Sequence, residues 1–99
     1  MNEEKLIAEL DKLKEEIENS TLNKSFVDYR VDEHDISIDI SLEISEQPKE
    51  VFSEFINIIN KLIKKGYKID EFGRTKSYNY KDDLIPEYYL HAIKSRSLL

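Results

Sequence analysis

Apolar residues occupy every second position through one stretch of this chain. Ile36, Ile38, Ile40, Leu42 and Ile44 alternate with Ser37, Asp39, Ser41, Glu43 and Ser45. A period of two marks a strand with one buried and one solvated face. Residues 26–31 alternate in the same way, with Val27, Tyr29 and Val31 on one side. The four residues between the two runs, Asp32, Glu33, His34 and Asp35, suit a short hairpin loop. Closing the hairpin with Val31 opposite Ile36 sets Tyr29 opposite Ile38 and Val27 opposite Ile40. On the other face Arg30 then opposes Ser37, Asp28 opposes Asp39 and Phe26 opposes Ser41. This register keeps both apolar sets together, and a slip of one residue would part them.

The period changes on either side of the hairpin. Leu6, Leu10, Leu13 and Ile17 recur at helical spacing and predict a helix over 3–18, with Glu3 and Glu4 at its N-terminal end. Pro48 opens a second helix. Its stripe is Phe52, Phe55, Ile56, Ile59, Leu62 and Ile63, widened by Val51 and Ile58, and Gly66 is the expected left-handed stop. Residues 67–72 read as a third strand, Gly73 as a turn or bulge, and 74–80 as a possible fourth strand. Pro86 would open a last helix running to about Ser97, with Tyr89, Leu90 and Ile93 inward.

The expected architecture is one α+β domain over residues 1–99. Its elements run helix, strand, strand, helix, strand, possible strand, helix. A helical return makes strand three parallel to strand two, so it would lie beside strand one. The expected sheet has three to four strands, in the order 2-1-3, with all helices on one face. That crowding of three helices, together with a solvated sheet face, points to a homodimer. In element order the chain resembles the small acidic dimeric secretion chaperones, although no motif carries the likeness. In acidity it resembles small proteins of viruses and mobile elements that mimic phosphate charge.

Composition sharpens the functional question. The formal net charge is −6, with 36% charged residues. Residues 1–46 hold fourteen acids and five bases, while 47–99 hold seven acids and ten bases. Fields act over about 8–10 Å at physiological salt, so each half presents its own sign. The chain has no cysteine. That removes disulfides, thiolate metal sites and cysteine nucleophiles, and makes the cytoplasm the default compartment. No apolar run approaches the roughly 18 residues of a membrane span, and the acidic N-terminal stretch does not read as a signal peptide. The Lys and Glu content fits a thermophile.

Three kinds of chemistry compete. Catalysis has little to stand on: His34 sits in a polar loop, His91 in the expected last helix, and no serine has a recognisable base partner. Neither a metal-ligand spacing nor a phosphate-binding glycine loop occurs, so no metal or cofactor is expected. Nucleic-acid binding has one short segment, in which Arg74, Lys76, Tyr78, Tyr80 and Lys81 combine cations with stacking rings. The acidic balance opposes it. Protein binding has the outer face of the hairpin: Asp28, Ser37, Asp39, Ser41 and Glu43, with Glu46 nearby. A basic protein surface is the partner it fits. The same residues would also keep an Ile-rich strand soluble were it a sheet edge. The expectation is therefore a non-catalytic, homodimeric module that binds a basic protein through this acidic face.

Overall fold

The structure, a computed structural model, describes residues 3–21, 24–44, 48–78 and 81–96. Two helices, α1 (Glu3–Ser20) and α2 (Pro48–Lys64), cover one face of a four-stranded antiparallel sheet. The strands are β1 (Ser25–Val31), β2 (Asp35–Glu43), β3 (Lys68–Tyr78) and β4 (Leu84–Ser95), in the spatial order β1-β2-β4-β3. The molecule measures 42 × 26 × 23 Å. Neither described helix is long and apolar enough to cross a membrane.

The first hairpin pairs in the expected register, from Val31 opposite Ile36 to Phe26 opposite Ser41. Ile36, Ile38, Ile40 and Leu42 are all buried beneath the helices. α1 contributes Leu6, Leu10, Leu13 and Ile17 to the same core. In α2 the centre of burial is Val51, Phe55, Ile58 and Leu62. Phe52, Ile56 and Ile63, read from sequence as part of the core stripe, remain exposed. Gly66 adopts a φ of 92°. Tyr67 N–H donates to Leu62 and Gly66 N–H to Ile63, which closes the end of α2.

Three expectations are corrected. The 2-1-3 order gives way to β1-β2-β4-β3, and β2 is an interior strand with partners on both sides. β3 does run parallel to β2, but β4 stands between them. Second, residues 67–72 and 74–80 are not two strands, because β3 continues through Gly73 to Tyr78. Gly73 makes no turn. It lies under the Tyr89 ring, where a Cβ would come within 3.2 Å, and the bulge falls instead between Ile69 and Glu71. Third, the last helix is strand β4.

That third error has a specific cause. Leu90, Ala92 and Tyr88 point to the helices, while Ile85, Tyr89 and Ile93 point to the opposite face. Apolar residues on both faces erase the period of two. Pro86, read as a helix start, is tolerated in the strand because of where it stands. Its carbonyl accepts from Ile44 N–H, so its donor-less nitrogen faces the same side, past the last paired residue of β2. With two helices rather than three, the crowding argument for a dimer disappears, and so does the likeness in element order to secretion chaperones.

Candidate functional site

The face away from the helices is built by all four strands. Its rows follow from the pairing: Arg30, Ser37, Ile93 and Lys68; then Asp28, Asp39, His91 and Glu71; then Phe26, Ser41, Tyr89 and Gly73; then Glu43, Glu87 and Thr75. Five carboxylates share this surface with two cations. Asp28 stands directly across from Asp39 on the neighbouring strand. Like charges so placed repel and work against the sheet.

Hydrogen bonds link the middle of the face. His91 Nδ1–H donates to Asp39 Oδ1 at 2.7 Å, and Tyr89 O–H donates to Glu71 Oε1 at 3.2 Å. Asp28 accepts the Tyr29 backbone N–H. Arg30 turns away to Asp32, at 3.2 Å in the hairpin loop. Among the described residues, none of Asp28, Glu43 and Glu87 forms an ion pair with a cation. Glu87 is itself largely buried. A cleft beside it is lined by Lys24, Phe26, Glu43, Ser77, Tyr78 and Ile85.

The residues singled out from sequence are placed as follows. Asp28, Ser37, Asp39, Ser41 and Glu43 do share one face. Ser37 is only 5% exposed, beside the longer Arg30 and Ile93 side chains, so it supports the sheet rather than meeting a partner. Glu46 lies outside the described residues, as does Tyr80. Arg74, Lys76 and Tyr78 share the helix-side face of β3, near its open end, and all three are exposed. Lys81 is in the following turn. Asp82 and Asp83 adjoin this basic group in sequence and dilute its field.

His91, Glu71, Glu87 and Tyr89 were absent from the predicted face. A helix from Pro86 to about Ser97 takes His91, Glu87 and Tyr89 out of the sheet, and Glu71 joins the face only through the strand order. No alternation marks that segment as a strand, because Ile85, Tyr89 and Ile93 share a face with Glu87 and His91. His34 is exposed in the loop, where its carbonyl accepts the Arg96 N–H. No group of three His, Asp or Glu side chains among the described residues is arranged to hold a metal ion.

Two tyrosines report on these contacts. The Asp11 carboxylate accepts the Tyr29 hydroxyl proton and, with burial and charge adding to it, holds that phenol above its usual range. Glu71 does the same for Tyr89. A phenol raised in the folded state stabilises the fold below the unfolded value near 10. That contribution disappears as pH rises through the raised value. In an alkaline absorbance titration, Tyr29 and Tyr89 should therefore ionise late. Asp11→Asn should bring Tyr29 back toward 10, and Glu71→Gln should do so for Tyr89. Unmoved titrations would show that the carboxylates are not the cause.

Comparison with protein-family models, with curated proteins and with solved structures finds no match for this chain.

Proposed function

We propose that the chain is a non-catalytic protein-binding module whose solvated sheet face takes a basic segment of a partner protein. The opposition of Asp28 and Asp39 carries this reading. Two carboxylates directly across a strand pair cost the fold a few tenths of a kcal/mol or more. A cationic side chain laid between them would turn that repulsion into two attractions. Glu43 on β2 and Glu71 on β3 extend the same sign over the exposed face, and Phe26, 54% exposed, gives it an apolar contact at one edge. Surface pairs contribute about 0.2–1 kcal/mol each, so specificity would come from several acting together.

The test is charge reversal at Asp39 and Glu43, both to Lys. Reversing Asp39 gives up its His91 hydrogen bond but relieves the repulsion with Asp28, so the urea midpoint should move little. Affinity for a basic partner captured from the native host under nuclease treatment should fall at least about tenfold. Unchanged affinity in the double variant would sink the reading.

A second reading rests on a different surface. Arg74, Lys76 and Tyr78 are exposed together on β3, with Tyr78 at 72% exposure. Cations beside a free ring are what single-stranded nucleic acid requires. Labelled single-stranded DNA or RNA that binds at low salt and leaves at high salt would favour this reading. Binding lost on Arg74→Ala would place it on β3.

A further inference from the structure

The solvated sheet face has a hollow at the end where β2 finishes and β4 begins. A cleft of about 260 Å³ opens there, with Lys24 and Phe26 on the β1 side, Ser77 on β3, and Glu43, Ile85 and Glu87 between them. The pairing places Phe26, Glu43, Ser77, Ile85 and Glu87 all on the face away from the helices. Glu43 and Glu87 stand directly opposite each other on β2 and β4. They are a second pair of carboxylates so placed, after Asp28 and Asp39.

This pair differs from the first in its surroundings. Glu87 is only 9% exposed and is the one buried acid among the described residues. Neither its carboxylate nor that of Glu43 has a hydrogen-bond or ion-pair partner among those residues. The oxygens of Glu87 still reach the cleft. The cation already at the rim does not answer them. The Lys24 ammonium lies over the Phe26 ring, 5.0 Å from its centre, and beyond ion-pair distance of both acids. A charge withdrawn from water without a partner is unfavourable, and a cation brought into the cleft would remove that cost.

We propose that this cleft takes an arginine side chain, an inference that rests on the acidic face being the site of a basic segment and names that segment's anchor. Opposed residues on neighbouring strands hold their Cβ atoms about 4.5–5.5 Å apart. A group set between the two carboxylates must therefore donate in two directions at once. The guanidinium is planar, with five N–H donors in a fixed fork, and can bond both. It is weakly hydrated and stacks on rings, which suits a cleft walled by Phe26 and Ile85. The lysine ammonium is a compact, strongly hydrated charge and loses more water on entering. Size agrees as well. Sites for whole small molecules measure about 300–1,000 Å³, and a cleft just below that range fits a single long side chain.

Two nine-residue peptides of alternating lysine and glycine provide the test, one with arginine at its centre and one with lysine there. In calorimetric titrations of the whole chain at low salt, the arginine peptide should bind about tenfold tighter. Free arginine should compete about a hundredfold more weakly than that peptide, since it lacks the flanking lysines. Glu87→Gln should bring the arginine peptide down to the level of the lysine one. That variant should melt no lower than the wild type, because a buried charge without a partner has gone. Should it not fold, Glu43→Gln must remove the same preference. Asp39→Asn, outside the cleft, should weaken both peptides alike. Equal affinity of the wild type for the two peptides would overturn the arginine anchor and leave the acidic face as a site. Binding of neither would overturn both. A preference that survives Glu87→Gln and Glu43→Gln would place the arginine elsewhere, and free arginine competing as well as the peptide would remove the segment.

Discussion

Replacing Ile38 by alanine should remove about 4 kcal/mol of stability, near the top of the range for a buried isoleucine. Its position sets the size of the effect. Ile38 is 1% exposed on an interior strand, between Tyr29 on β1 and Ala92 on β4. Ala92 has no reach with which to fill the void. Tyr29 is held at its far end by Asp11. The site therefore cannot collapse, and the cavity adds to the lost transfer energy. Domains of this size have about 5–15 kcal/mol in all. The melting point should fall by about 16–30 °C. In urea the midpoint should drop with an unchanged slope. A loss below about 1 kcal/mol would show that Ile38 does not stand between two strands.

The second large effect falls where α2 ends. Gly66 has φ at 92°, a region that a β-branched residue essentially never enters. Gly66→Val should cost about 2–3 kcal/mol, the strain of a forced left-handed residue. A bare Cβ would stand at ordinary contact distance, 3.4 Å, from the Lys94 chain, so the backbone angle sets the cost. That lysine crosses from β4 to donate to the Lys65 carbonyl at 2.7 Å, and its ammonium lies over the Tyr67 ring. Gly66→Asn should cost far less, because asparagine enters this region more readily. The order Gly, Asn, Val in melting temperature is the measurement. Equal losses for Asn and Val would mean that space, not backbone angle, decides.

How much was legible in the sequence depends on how local the information is. The hairpin was readable to the residue, because alternation in two adjacent runs fixes a single register. α1 showed its core stripe through spacing alone. α2 was readable as a helix, yet the centre of its buried face was not. Its apolar arc is wider than one sheet can cover, and only the place of α1 decides which part stays outside. β4 was misread because Ile85, Tyr89 and Ile93 give its solvated face an apolar character. The candidate site follows the same division. Asp28, Asp39 and Glu43 were found as one face because a hairpin is local. His91, Glu71 and Glu87 join them only through strand order, which rests on pairing between distant segments.

Strand order has one more consequence, in time rather than in space. β2 leaves the ribosome ending at Glu43, and its second neighbour begins only at Leu84. Between those moments a nascent chain carries an Ile-rich strand with one side unpaired. Loop closure over that distance is slow compared with making the first hairpin. Asp39 and Glu43, four residues apart on its outward side, are charges of the kind that keep such a strand from adding to another chain while it waits. Asp39→Asn with Glu43→Gln should therefore raise aggregation during synthesis more than it weakens the finished sheet.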